Sequence, residues 1–145
     1  MAGARITLDV EDRQVLAVLD QLLARMDDVT PALRDIGEAL LNSTRQRFSD
    51  QQAPDGTPWA PLSAAYQARK KKNADKILVL DGYLSGLLTY QVLPDGLELG
   101  TNRIYGATHQ FGAPERNIPA RPFLGLSEDD RTEFIAILSD YLTRA

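Results

Sequence analysis

The sequence predicts an α+β fold in which three longer helices pack against a small, mostly antiparallel sheet. Three observations lead to this prediction. Apolar residues recur at spacings of three and four in three segments, one stretch has the composition of a β-hairpin, and two long connections carry proline, which disfavours helix interiors and central strands. With 145 residues and no cysteine, we expect one domain over residues 1–145 whose core forms without disulfides.

The N-terminal part is predicted to form a short strand and two helices. Residues 5–10 alternate as a strand does, and a helix follows from Glu11. Its apolar stripe comprises Val15, Val18, Leu19, Leu22 and Met26, with Leu16 and Leu23 widening it. A cap at Thr30, followed by proline, begins the second helix, which runs to about Phe48. The short connection favours an antiparallel helical hairpin.

The middle of the chain differs in composition from the N-terminal part. Residues 49–63 hold three prolines and a Pro-Asp-Gly turn, which predicts a loop ordered by its surroundings. A short helix with a basic tail is expected over residues 63–76. A buried extended run then begins at Lys76 and restarts as a short helix near Asp81.

The C-terminal part contains the clearest local signals. Two strand-like runs surround Pro94-Asp95-Gly96 and predict a β-hairpin, and residues 104–110 are expected to form one or two helical turns. Ser127, with Asp130 three residues later, resembles a capping box and begins the last helix. Its predicted apolar face comprises Phe134, Ile135, Leu138, Tyr141 and Leu142.

Composition and charge argue against several classes of function. No apolar run reaches the ~18 residues of a membrane span, and the N-terminus has no pattern of a secretion signal, so we expect no membrane contact. The net charge of −4 argues against holding DNA by bulk electrostatics. Residues 51–80 are the exception, since they carry 5 basic and 2 acidic side chains.

The candidates for catalysis have simpler interpretations. His109 is the only histidine, and with no cysteine or spaced ligand beside it we interpret it as a polar contact at a helix end. The carboxylates of residues 128–130 suit a helix start, and successive helical residues point about 100° apart, so they do not converge on one cation. Phosphate-binding glycine loops and nucleophile motifs are absent. We therefore expect no enzymatic activity, metal, cofactor or small-molecule substrate.

The basic tail of the middle helix comprises Arg69, Lys70, Lys71 and Lys72. Such a run is most simply a solvated helix face. Contact with DNA or with an acidic partner is the alternative, although the cluster falls short of the roughly 6–10 phosphate contacts of strong binders.

Residues 109–124, which we call the arm, are too apolar for a solvated loop and too rich in proline and glycine for a helix or central strand. Residues that precede proline avoid the helical region, so 117–123 should be extended. Such a stiffened strip suits docking, either on its own core or on a neighbour. Trp59, framed by Pro58 and Pro61, is a second anchor of this kind.

The stretches GTPWAPLS and ILVLDGYLSGLL, followed by LELGT, HQFG and IPARPFLG, resemble the phage virion morphogenesis family in order and spacing. The resemblance covers about Asp55 to the C-terminus. Asp81 stands where serine or threonine is expected before glycine, and both types suit a helix cap. The resemblance implies a non-enzymatic assembly protein at the head–tail junction or the head-proximal end of the tail.

The resemblance also implies partners and a place of action. It favours a homo-oligomeric ring, a hexamer first, that contacts tail tube and head connector proteins. It implies assembly in the host cytoplasm, then a position in the neck or tail of the virion. The predicted assembly surface comprises Trp59, Leu62, Phe111, Ile118, Arg121, Phe123 and Leu124.

Two alternatives stay open from the sequence. The protein could be a head-morphogenesis factor that acts transiently on capsid or portal. It could also be a neck protein that contacts DNA in passing through Arg69 to Lys72.

Overall fold

The computed structural model describes residues 12–70, 88–93, 96–101 and 104–144. In chain order its elements are α1 (Arg13–Leu23), α2 (Thr30–Asp50), α3 (Ala64–Arg69), β1 (Thr89–Leu93), β2 (Gly96–Gly100), α4 (Ile104–Phe111), a 3₁₀ turn (Pro114–Arg116) and α5 (Glu128–Arg144). The predicted α+β fold is confirmed. Four predicted features lie outside the described residues: the strand at 5–10, the extended run at 76–87, the helix restart near Asp81 and the turn residues 94–95.

Helix α1 begins after Asp12, whose Oδ1 accepts hydrogen bonds from the backbone N–H groups of residues 14 and 15, both at 3.1 Å. Leu19 and Leu22 are buried, as predicted. Leu16 and Leu23 are 41% and 37% exposed, so the prediction that they widen the buried stripe is wrong. The reason is that α1 lies along α5, and a helix covered along one line buries a narrow arc.

Helix α2 is the longest element, and its ends show how the sequence sets its limits. The N-cap residue is Val29, which makes no side-chain capping bond, so Thr30 is the first helical residue rather than the predicted cap. Just before the helix, Asp28 Oδ1 accepts a hydrogen bond from the Thr30 N–H at 3.0 Å. Pro31 occupies the first turn, where its missing N–H costs nothing. The helix ends at Asp50, and the C-cap residue Gln51 adopts the left-handed conformation with φ of 57°.

Helix α5 lies against both α1 and α2. Helices α1 and α2 each pack along α5 and not along each other. The predicted helical hairpin would instead require α1 and α2 to pack along each other. The predicted capping box is confirmed: the Ser127 N–H donates to Asp130 Oδ2, and the Asp130 N–H donates to Ser127 Oγ, both at 3.0 Å. The first core cluster comprises Leu19, Leu22, Val29, Ala32, Leu33, Ile36, Phe134 and Leu138.

Strands β1 and β2 form the predicted antiparallel hairpin, with Tyr90 opposite Leu99 and Val92 opposite Leu97. The hairpin packs on α2. Gly37 makes this possible, because a Cβ at that position would lie 2.5 Å from a ring carbon of Tyr90. The predicted helical turns at 104–110 are also confirmed, as α4. Within the described ranges, no helix combines the length and apolar character needed to cross a bilayer.

Candidate functional site

A second core cluster joins the far end of α2, the loop that follows it and the arm. The Phe48 ring lies 5.4 Å from the Trp59 ring, nearly perpendicular to it, and 5.6 Å from the Phe123 ring, centroid to centroid. Leu88 and Leu124 complete the buried set. The cluster therefore brings together the two proline-framed segments that the sequence marks as anchors.

The loop after α2 folds back to place its tryptophan. The Trp59 N–H donates to the Gln51 carbonyl at 2.8 Å, and the Ala53 N–H donates to the Thr57 carbonyl at 2.9 Å. Gly56 closes the turn with φ of 89°, a conformation that glycine adopts without strain. The prediction of a loop ordered by its surroundings is confirmed.

The first half of the arm is a closed loop. Ala113 and Ile118 exchange backbone hydrogen bonds of 2.8 and 3.1 Å around the 3₁₀ turn. Gly112 has φ of 78°, and a Cβ there would lie 2.8 Å from the Ala120 nitrogen, so the loop requires glycine. The Arg121 N–H donates to the His109 carbonyl at 2.7 Å and ties the loop to the end of α4.

The second half of the arm, residues 121–124, is held by side chains instead of a neighbouring strand. Gln110 Oε1 accepts from the N–H groups of Phe123 and Leu124, both at 3.0 Å, and Gln110 Nε2 donates to the Leu124 carbonyl at 3.3 Å. Trp59 Nε1 donates to the Pro122 carbonyl at 2.7 Å. A segment that contains proline cannot pair inside a sheet. Its buried backbone N–H and C=O groups still need hydrogen-bond partners, and side chains supply them.

A buried ion pair connects the arm to two helices. Arg47 Nη2 lies 2.5 Å from Asp130 Oδ2, and Arg47 Nη1 donates to the Phe123 carbonyl at 2.8 Å. The two charged side chains are 7% and 5% exposed. Burial lowers the pKa of Arg47, and the Asp130 carboxylate acts against that shift. One guanidinium therefore joins α2, the arm and the N-terminus of α5.

Sequence reasoning missed Arg47 and Gln110. Arg47 lies in an amphipathic helix where an arginine is usually solvated, and its partner is 83 residues away in the sequence. Gln110 lies inside the HQFG stretch. That stretch contributes to the family resemblance, but it does not indicate what the Gln110 side chain binds. The position of Asp130 was predicted as part of a cap, but its ion pair was not.

The predicted assembly residues divide into internal and exposed ones. Four are buried in their own chain: Trp59 (5% exposed), Arg121 (6%), Phe123 (0%) and Leu124 (6%). Within the chain, these four side chains pack on or bond to the arm and hold it in place. Their membership of an assembly surface stays a prediction. Leu62 and Ile118 are half-buried, and Phe111 is 58% exposed. An assembly role for Phe111 remains a prediction.

The basic groups lie around the base of the arm. Arg121 donates through Nε and Nη2 to the carbonyls of Ala60 and Pro61, at 2.8 and 3.0 Å. Burial, then the charges of Arg121 and Arg116, lower the pKa of His109. His109 is thus predominantly neutral at pH 7, at the helix end where the sequence placed it.

The predicted basic tail is described in part. Arg69 is exposed, with its guanidinium carbon 5.8 Å from the centroid of the Tyr66 ring. Lys70 is half-buried, and Lys71 and Lys72 lie outside the described residues. Among the residues that the structure describes, no group of three or more histidine or acidic side chains is arranged to hold a metal ion.

We predict that Gln110→Ala destabilises the fold, because it leaves buried N–H groups of the arm without an acceptor. The expected cost is about 1–3 kcal/mol for each buried group left without its hydrogen bond, measured by urea unfolding. Gln46→Ala is the matched control, since Gln46 is exposed and bonds only locally to Asp50. Equal unfolding free energies for the two variants would contradict the role assigned to Gln110.

Comparisons with known proteins give a consistent result. The model of the phage virion morphogenesis family matches residues 10–143. The chain is 33% identical over 135 residues to "Putative capsid assembly protein G" of Escherichia phage Mu, covering 86% of this chain and 85% of that protein. It is 26% identical over 142 residues to "Tail completion protein S" of Escherichia phage P2, covering 86% and 95%. No solved structure gives a significant match.

Proposed function

Because the chain belongs to the phage virion morphogenesis family, we propose that it is a non-enzymatic protein that completes the tail and joins it to the head as a homo-oligomeric ring. The observation that carries the proposal is the family match over residues 10–143, together with a relative named for tail completion. A hexamer, and contacts with tail tube and head connector proteins, are parts of this proposal. It would act in the host cytoplasm and then in the neck or tail.

The architecture supports a structural role. Trp59, Leu88, Phe123 and Leu124 come from stretches that carry the family resemblance and lie together in the second core cluster. There, Trp59 and Gln110 form hydrogen bonds with the main chain of the arm. Arg47 does the same from α2. These polar side chains are therefore engaged in holding a loop in place, which suits the presentation of a fixed surface to another protein.

A second candidate is a role in capsid assembly. The observation that favours it is the printed name of the phage Mu relative, which refers to the capsid rather than the tail. The two candidates predict different defects, since a capsid factor acts before complete heads exist and a tail-completion protein acts after them.

The test is a deletion of the gene in a phage that carries it, followed by electron microscopy of the lysate. We expect full heads and free tails that fail to join, and we expect added purified protein to restore infectious particles. Absent or aberrant heads would instead support the capsid role. Normal infectious particles would contradict both.

We predict that Phe111→Ser leaves the fold intact and impairs assembly. The side chain is 58% exposed at the end of α4, so its loss should change the unfolding free energy by at most about 0.5 kcal/mol. An aromatic anchor at the centre of an interface is worth about 2 kcal/mol or more, which corresponds to a loss of roughly thirtyfold in association. The measurement is restoration of infectivity by added protein, titrated by concentration.

Glu115→Ala is the control for Phe111→Ser, because Glu115 is exposed on the adjacent 3₁₀ turn and carries no predicted contact. Phe111→Ser protein that is folded and restores infectivity at the wild-type concentration would remove Phe111 from the assembly surface.

A further inference from the structure

The loop after α2 and the arm hold each other through reciprocal hydrogen bonds. Trp59 Nε1 of the loop donates to the Pro122 carbonyl of the arm at 2.7 Å. In the other direction, the Arg121 guanidinium of the arm donates to two consecutive carbonyls of the loop, at 2.8 and 3.0 Å. Each segment therefore supplies donors that bind the main chain of the other. We call the loop, residues 51–62, together with the arm the clasp.

The clasp has an apolar core that is distinct from the core of the helices. Among the residues that the structure describes, the second core cluster, with Phe48, Trp59 and Phe123, shares no member with the first. The first cluster joins α1, α2 and α5, which we call the three-helix unit. Arg47 of α2 reaches from that unit to the Phe123 carbonyl. Folded proteins open locally in cooperative units, and two such cores provide the basis for two units.

The clasp also fixes the end of α4, where Phe111 stands exposed. Gln110, the residue before it, is buried and accepts hydrogen bonds from two consecutive N–H groups of the arm, both at 3.0 Å. The Arg121 N–H donates to the His109 carbonyl of the same helical turn at 2.7 Å. The inward bonds of residues 109 and 110 therefore set the position of the exposed side chain that follows them.

We propose that the clasp opens as a unit before the three-helix unit unfolds, and that its closed state holds Phe111 in one position. The second half of the arm is bound by single side chains, so a few broken contacts release it. When the clasp opens, α1, α2 and α5 keep their internal backbone hydrogen bonds and their own core. The opening is a property of the isolated chain, and only the use of Phe111 in assembly rests on the proposed function.

Two spectroscopic signals distinguish the clasp from the helices. Trp59 is the only tryptophan in the chain, so its fluorescence reports on the clasp, whereas far-UV circular dichroism reports mainly on α1, α2 and α5. In a urea titration of the wild-type protein, we expect the fluorescence to change at a lower urea concentration than the circular dichroism.

Arg121→Ala should separate the two signals further. We expect the fluorescence midpoint to fall by about 1 M urea, because two loop carbonyls lose their donor, and the dichroism midpoint to stay at the wild-type value. Arg116→Ala is the matched control, since Arg116 is an exposed arginine of the same arm. The wild-type comparison needs no variant, so the inference remains testable if Arg121→Ala does not fold.

A spin label tests the link to residue 111. The chain has no cysteine, so Phe111→Cys provides a single labelling site. Glu133→Cys, at an exposed position of α5, is the control. We expect the label at residue 111 to gain mobility at the fluorescence midpoint, and the label at residue 133 to gain mobility at the dichroism midpoint.

The outcomes separate this inference from the proposed function. Coincident fluorescence and dichroism transitions in the wild-type protein would overturn it, because the chain would then unfold as one unit. Equal fluorescence midpoints for Arg121→Ala and Arg116→Ala would overturn the reciprocal bonding as the cause of closure. A label at residue 111 that follows the dichroism signal would overturn the link to Phe111. None of these results depends on a ring, and a phage that assembles normally without the protein would leave the opening of the clasp in place.

Discussion

Replacing Phe123 by alanine is expected to destabilise the folded chain by about 3–5 kcal/mol, the usual cost of deleting a buried aromatic side chain. Phe123 has 0% exposure and packs on the Phe48 ring. The same residue anchors the arm, because its N–H and carbonyl are bonded to Gln110 and Arg47. Urea unfolding of the purified protein gives the free energy. Loss of assembly in this variant would then follow from unfolding rather than from a lost contact with a neighbour.

The control for this change lies in the same arm. Phe111→Ala removes the same side chain from a position that is 58% exposed, so its unfolding free energy should stay close to that of the wild type. If Phe123→Ala were as stable as Phe111→Ala, the placement of Phe123 in the core of its own chain would be wrong.

Arg47→Met is expected to cost about 3–5 kcal/mol, because it leaves the Asp130 carboxylate buried without its cation. It also removes the donor to the Phe123 carbonyl. Asp130→Asn should be similarly damaging for the opposite reason, since Arg47 then keeps its charge without a carboxylate. The free energy of urea unfolding measures both effects.

A double-mutant cycle isolates the pair itself. Arg47→Met combined with Asp130→Asn should be less destabilising than the sum of the single changes, because neither buried charge is then left alone. The exposed pair between Asp140 and Arg144 is the matched control, and Asp140→Asn should change stability little. Strictly additive effects for Arg47 and Asp130 would mean that the two side chains do not interact in solution.

Local features of the fold could be predicted from the sequence because their causes are local. The capping box at Ser127 and Asp130 needs three residues of separation, and the β1–β2 hairpin needs a turn signal between two strand-like runs. The docking of the arm could be predicted, since proline restricts its own backbone and that of its predecessor. The prediction that residues 117–123 are extended is wrong at Asn117, which ends the 3₁₀ turn in the left-handed conformation with φ of 57°.

What could not be predicted depends on partners distant in the sequence. The hydrogen bond from Arg47 to Phe123 spans 76 residues, and that from Trp59 to Pro122 spans 63. An apolar segment has the same composition whether it packs on its own core or on another subunit. The internal burial of Phe123 could therefore be seen only in the structure. Leu16 and Leu23 show the converse, since periodicity marks a helix face without saying how much of it is covered.

The position of α5 has a consequence for biosynthesis. Leu19 and Leu22 of α1 and Leu33 of α2 share their core with Phe134 and Leu138 of α5, which come much later in the sequence. The nascent chain therefore carries these leucines without their partners until α5 has been synthesised, and this core closes only after that point. In that interval a chaperone, or another nascent subunit, can reach apolar surface that the finished protein conceals.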